Sequence, residues 1–204
     1  IHLGVFEEEF KLPGGLIRHS GIFCATLHNC TVGNNVLIEN IQQYIANYTI
    51  GAGSRIQNCN LLLVDELSSF GNNVAVSVLN ETGGRKVMIY DNLSAPFAYI
   101  MALYRHRPVL IQEMQGLVRQ YAESITSAQG TIGRETIIGN AGTIRNVRIG
   151  DCATIENTTR LENGSVNSNR QAPVYIGDSV IAQDFIVSSG ATVSDAAKII
   201  RCFI

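Results

Sequence analysis

Residues 31–62 read TVGNNVLIENIQQYIANYTIGAGSRIQNCNLL, with an apolar side chain at every sixth position: Val32, Ile38, Tyr44, Ile50, Ile56 and Leu62. Six consecutive hits at one step identify a repeat. A period of six holds no face of a helix with about 3.6 residues per turn, so an amphipathic helix is excluded. A β-sandwich would need polar hairpin turns roughly every 8–12 residues. An apolar–Gly pair marks the same phase at Val32-Gly33 and, 18 residues on, at Ile50-Gly51. The pair returns at Phe70-Gly71, Ile132-Gly133, Ile149-Gly150 and Ile176-Gly177.

A second register runs Ile132, Ile138, Ile144 and then, 17 residues later, Ile149, Ile155, Leu161. Ile176 to Val193 and Ala182 to Ile199 keep the 17-residue offset. One coil is therefore three hexads, with one corner sometimes a residue shorter. Each hexad is a short strand plus a tight corner, and three of them return the chain to its start about 4.8 Å along an axis. The spacing predicts that Val32 stacks on Ile50, Ile38 on Ile56 and Tyr44 on Leu62. Gly and Asn tolerate positive φ, which fits Gly33-Asn34-Asn35 and Gly71-Asn72-Asn73 as corners.

The hexads cover roughly 20–76 and 129–204; residues 1–19 show no convincing repeat, and Glu7-Glu8-Glu9 reads as a solvated acidic face. Between them, Val76–Asn80 and Lys86–Tyr90 flank Gly83-Gly84 and read as a β-hairpin. Asn92-Leu93-Ser94-Ala95-Pro96 is a helix-capping sequence. Phe97, Ile100, Met101 and Tyr104 follow at helical spacing. Pro108 breaks or restarts the helix, and Val109, Leu110, Met114, Leu117, Val118, Tyr121 and Ile125 make a second stripe. The expected fold is all-β with a helical insertion: residues 1–76 an N-terminal segment and first coils, 77–128 a hairpin and helices packed on the coils or on a partner subunit, 129–204 continuing coils. A smaller protruding loop is expected over 162–173. The apolar last stretch and the absence of an initial Met read as a fragment of a longer protein.

Composition narrows the function classes. Net charge is −2 from 15 basic and 17 acidic residues, without the basic excess of a nucleic-acid binder. Hydrophobic residues make up 46% and charged residues 16%, which is a folded chain. No apolar run reaches the ~18 residues of a membrane span, so a soluble chain without a membrane partner is expected. Cys24, Cys30, Cys59, Cys152 and Cys202 form no C-x-x-C pair and no zinc spacing, so no metal site is expected and the cysteines read as small apolar fillers in a reduced, cytoplasmic protein.

The repeat resembles the hexapeptide-repeat family, whose members form left-handed parallel β-helices. The runs VLNETGGRKVMIY (78–90) and AYIMALYRHRPVLIQEMQGLVRQYAES (98–124), followed by hexads, resemble a bacterial hexapeptide-repeat family of unknown function with longer chains. That resemblance implies a left-handed parallel β-helix interrupted by a hairpin–helix module, and a homo-oligomer. It brings no catalytic residues. Hexapeptide-repeat enzymes are mostly acyltransferases that use a His as general base, so a transferase acting on sugar or nucleotide-sugar substrates, with acyl-CoA or a nucleotide sugar as cofactor or ligand, is the first reading. A non-catalytic scaffold for oligomerisation or ligand binding is the alternative.

Histidine suits base catalysis because it titrates near neutral pH. Of His2, His19, His28 and His106, the candidates are His106, between Arg105 and Arg107 before Pro108, and His28, at an expected coil corner. Gly83-Gly84 can present backbone N–H groups to an anion. Arg85 and Lys86 lie beside it, with Glu81 in the same turn, and Arg105 and Arg107 join if the helix folds back; together they could hold phosphates or a sugar ligand. An enzyme should set His106 or His28 in a cleft with cations and a carboxylate such as Glu81 or Glu113. A scaffold should leave the histidines scattered and show a flat apolar face. No complete phosphate-binding glycine motif is present.

Overall fold

The computed structural model describes residues 1–79 and 83–204. The chain is mostly β with two helices, and its two long sheets are parallel. In the seven-stranded sheet, Ile22, Ile38, Ile56, Ile138, Ile155, Ile176 and Val193 follow one another in register. The eleven-stranded sheet has two wings. One stacks Leu27, Ile45, Leu62, Ile144, Leu161, Ala182 and Ile199. The other stacks Leu3, Val32, Ile50, Ile132, Ile149, Val166 and Val187. The wings join in the long strands Thr143–Ile149, Arg160–Val166, Ile181–Val187 and Lys198–Phe203, which bend at Asn146, Asn163, Asp184 and Arg201, all with positive φ. The three apolar columns share one continuous core.

The predicted stacks of Val32 on Ile50 and Ile38 on Ile56 are present. Tyr44 does not stack on Leu62. Ile45 takes that place, and Tyr44 is 37% exposed. The step from Ile38 to Ile45 is seven residues and the next, to Ile50, is five. The corner between the wings takes five residues again from Leu27 to Val32, Ile144 to Ile149 and Leu161 to Val166. A 17-residue coil thus divides six, six, five; the 18-residue coil gains its residue at one corner and is not three hexads. Two adjacent apolar residues, Tyr44 and Ile45, hid the shift. The compact aliphatic chain fills the column, and the tyrosine keeps its hydroxyl near water.

The corner glycines serve close approach. Gly33, Gly51, Gly133 and Gly150 have no positive φ. A Cβ on Gly133 would lie 2.3 Å from the Gly150 carbonyl carbon, and one on Gly150 2.2 Å from the Ser168 oxygen. Positive φ falls two residues later, at Asn35, Gly53, Glu135 and Cys152. Another corner is tied by side chains: Asn40 donates to Asn58 (3.2 Å), Asn58 to Asn140 (3.2 Å), Asn140 to Asn157 (3.0 Å) and Asn157 to Asp178 (2.7 Å). The four asparagines all have left-handed backbones, which Asn tolerates best after Gly. Gly71-Asn72-Asn73 is not a coil corner. It lies against the coils, where a Gly71 Cβ would sit 2.6 Å from the Phe185 oxygen.

The large insertion leaves after Leu61–Leu63 and returns at Gly130–Ile132, at the corner between the wings. Val74–Ser77 and Lys86–Ile89 pair antiparallel. Two separate helices follow: α1, Ala95–Leu103, and α2, Pro108–Ile125. Ser94 caps α1 by accepting from the Phe97 amide at 3.4 Å. Helix α2 buries Ile111, Met114, Val118 and Ala122. The expected stripe residues Val109, Leu110 and Leu117 point outward instead, Val109 at 69% and Leu117 at 60% exposure. The expected loop over 162–173 is shorter, because Arg160–Val166 is an unbroken strand and the Asn167 amide still donates to the Val187 carbonyl at 2.8 Å. Gly164 is there to seat a ring: a Cβ would meet Phe185 at 2.3 Å. The stack also starts before residue 20, with His2–Leu3 paired to Thr31–Val32.

Candidate functional site

The inserted module is fastened to the coils by one nearly buried carboxylate. Asp91 follows the hairpin, and its side chain is 6% exposed. The Tyr121 hydroxyl of α2 donates to Asp91 Oδ2 at 2.9 Å, and the Arg148 guanidinium forms an ion pair with the same oxygen. Asn167 Nδ2 donates to Asp91 Oδ1 at 3.1 Å, while the Asp91 amide donates to Asn72 Oδ1 at 2.8 Å. Arg148 and Asn167 belong to successive coils, so hairpin, helix and stack meet at this one group. Burial raises the Tyr121 hydroxyl above its ordinary range, and the Asp91 charge adds to that. Both Asp91 oxygens are engaged. The cluster is a fastener and offers no free base. Tyr90 adds an aromatic staple, edge-on to Phe97 (5.6 Å) and to Tyr121 (5.7 Å). No sequence signal marked Asp91, Arg148 or Asn167: they lie 57 and 76 residues apart from their partner and are not part of any motif.

The residues singled out from the sequence lie in different places. His106 sits exposed between α1 and α2, its ring 5.6 Å from that of Tyr104. His28 is exposed in the strand Leu27–His28, one residue before the corner at Asn29, and its carbonyl accepts from the Asn47 amide at 3.0 Å and from Cys30 Sγ at 3.2 Å. His19 is exposed on the N-terminal hairpin and His2 on the first strand. Gly83 and Gly84 have φ of 82° and 100°, which glycine adopts freely, and Val78 N–H donates to the Arg85 carbonyl at 2.9 Å. Arg105 does reach the hairpin, where it donates to the Lys86 carbonyl at 2.8 Å and holds the backbone. Arg85 and Arg107 are exposed. Glu81 lies outside the described residues. Glu113 is exposed on α2. Among the described residues, no group of three or more His, Cys, Asp or Glu is placed to hold a metal ion.

Described residues line several open clefts, among them a small one of about 220 Å³ between Arg105, Pro108 and Ile111 and two larger ones. Of the larger two, one, about 840 Å³, runs along the Gly33 and Gly51 corner beneath Glu8 and Phe10. The other, about 490 Å³, lies between the hairpin, α1 and the strand Lys198–Phe203, and is walled by Val76, Val87, Ile89, Ala98 and Phe203.

With this geometry in hand, comparison with known proteins gives a match over residues 1–204 to the family described as "Domain of unknown function (DUF4954)". The chain belongs to this family. No hexapeptide-repeat family matches, which overturns the assignment to the hexapeptide-repeat superfamily. The DUF4954 chain is also 28% identical over 196 residues to an uncharacterized protein of Treponema pallidum (strain Nichols), covering 91% of this chain and 26% of that protein. No solved structure matches. No helix among the described residues is long and apolar enough to cross a membrane.

Proposed function

We propose that this DUF4954 chain is a non-catalytic scaffold, a left-handed parallel β-helix that carries its hairpin–helix module as an interaction surface for a second copy. The single observation that carries this reading is the outward apolar side of the second helix: Val109, Leu110 and Leu117 stand exposed on α2. An exposed apolar surface of this kind marks a contact site. Rungs of only two or three residues at many positions carry little of the strand twist that enforces right-handed crossovers, which leaves the left hand open to the stack. All five cysteines are free, which supports a reducing, cytoplasmic setting.

The competing reading is a transferase for sugar or nucleotide-sugar substrates. It calls for His106 or His28 in a cleft beside cations and a carboxylate, and both are exposed and line none of the clefts described. Sedimentation velocity over a concentration series decides for or against the scaffold. Association that is lost in Leu117→Glu and Val109→Glu supports it; a monomer at every concentration refutes it. Calorimetry with CoA and with UDP- or GDP-sugars is the companion measurement, and saturable binding lost in His106→Ala would favour the transferase.

A further inference from the structure

The floor of the 840 Å³ cleft is built from 31–35, 49–53 and 134–135 of three successive rungs, so the cleft runs along the axis of the stack. Each of these rungs is paired on both sides, which places the cleft on the flank of the stack. Its wall is the N-terminal hairpin, in which Glu9–Lys11 pairs antiparallel with Ile17–His19. Phe10 lies opposite Arg18, and residues directly opposite share a face. Arg18 forms an ion pair with the nearly buried Glu39, whose second oxygen accepts from Gln57 Nε2 at 3.0 Å. The face held to the coils therefore also carries the half-buried Phe10 ring to the cleft. The Glu7 amide donates to Asn35 Oδ1 at 2.9 Å and the Glu8 carbonyl accepts from the Ser20 amide at 2.8 Å, which ties the wall down where Glu8 enters it.

The polar groups of the cleft are of both kinds. Thr31 and Thr49 are neighbours in register on the floor. Their hydroxyls, the Glu8 carboxylate and the Arg134 guanidinium make no hydrogen bond or ion pair with any described residue. Glu135 is paired with Arg170, so Glu8 and Arg134 balance each other and the cleft selects neither an anion nor a cation. The corner backbone is already used: Gly33 and Gly51 amides donate to the Ile50 and Ile132 carbonyls, and Gly53 and Glu135 amides to those of Asn34 and Ala52. These corners leave no edge for an added peptide strand. What remains is recognition by hydroxyls, one carboxylate, one guanidinium and one ring, a set that fits a neutral ligand with many hydroxyls and an apolar C–H face.

We propose that this cleft binds an extended, neutral oligosaccharide of the β-1,4-linked kind, with one sugar ring on Phe10 and hydroxyls on Thr31, Thr49, Glu8 and Arg134. A pyranose unit is close in length to the rung spacing of ~4.8 Å, so an extended chain laid along the axis meets an equivalent floor at each unit. The proposal does not depend on the scaffold reading, since the cleft and the outward side of α2 use different residues.

The test is calorimetric titration of the 204-residue chain with cellotriose, and with maltotriose as the coiled isomer. Cellotriose should bind saturably below about 10 mM, and maltotriose about tenfold more weakly. Phe10→Ala should weaken cellotriose about tenfold by removing the ring under the sugar. Thr49→Val keeps the shape of the floor and removes one hydroxyl, and should weaken it about fivefold. Leu117→Glu on α2 should bind cellotriose as the wild type does, whatever it does to self-association, so failure here and failure of the scaffold reading are distinguishable. Circular dichroism and the melting temperature show that each variant is folded. Absence of saturable cellotriose binding overturns the proposal, as does binding unchanged in both Phe10→Ala and Thr49→Val. Equal affinity for maltotriose overturns it as well, because a match between sugar units and rungs would then play no part.

Discussion

At the scale of single residues, this chain is organised by where a Cβ fits. Tyr48 is wholly buried, its hydroxyl donates to the Val147 carbonyl at 3.0 Å, and Gly130 makes room for its ring: a Cβ there would lie 2.5 Å from it. Phe185 and Gly164 form the same large–small pairing. At the Gly133–Gly150 corner the obstacle is backbone, which cannot move aside without shifting the rung. Gly133→Ala should therefore lower stability by about 2–3 kcal/mol, read as the urea midpoint. Gly116 is the internal control. It lies in α2 with nothing near its Cβ position, so Gly116→Ala should raise stability by about 0.5–1 kcal/mol. Equal effects at the two sites would mean that stacking distance is not what selects glycine at the corner.

At the scale of elements, the inserted module depends on Asp91. Removing a nearly buried carboxylate leaves Arg148 and Tyr121 facing each other without their acceptor. Asp91→Ala should cost about 2–3 kcal/mol, the low end for a broken buried pair because Arg148 is 28% exposed. Tyr121→Phe removes one hydrogen bond and should cost only about 1 kcal/mol. Limited proteolysis separates this from a general loss of stability. In Asp91→Ala, cleavage between α1 and α2 should accelerate before the rungs become susceptible; simultaneous cleavage everywhere would show that module and stack unfold as one. Much of the stack was legible in the sequence, since each inward position in Ile132, Ile138, Ile144 and Ile149, Ile155, Leu161 is apolar and its outward neighbours mostly are not. The antiparallel pairing of the hairpin strands and the Ser94 cap were legible because their chemistry is local. The fastener was not, because Asp91, Arg148 and Asn167 are ordinary surface-type residues whose contact exists only once the insertion has folded back. Likewise α2 carries apolar residues on more than one face, and only packing tells which of them are covered.

At the scale of the whole molecule, neighbouring rungs share one core, so groups buried in the columns report on the stack as a unit. Cys59 and Cys30 are such groups. Burial pushes the Cys59 thiol from 9.0 up to about 11 and raises Cys30 as well, and it raises the Tyr48 hydroxyl beyond its ordinary range. A folded-state pKa above the unfolded one means that the folded chain holds the proton longer. The stabilisation is complete below the unfolded value and is lost as pH rises toward the folded one. For Cys59 this window runs from about pH 9 to about pH 11, and a shift of that size corresponds to about 2–3 kcal/mol across it. Urea midpoints measured from pH 8 to pH 11 should therefore fall steadily on the alkaline side. In Cys59→Ala the protein should start somewhat less stable, because a small buried side chain is lost, but its curve should fall less steeply over the same interval. Parallel curves for wild type and Cys59→Ala would mean that the thiol titrates in the fold as it does in the open chain, and that the column around Ile138 and Ala141 is not closed to water.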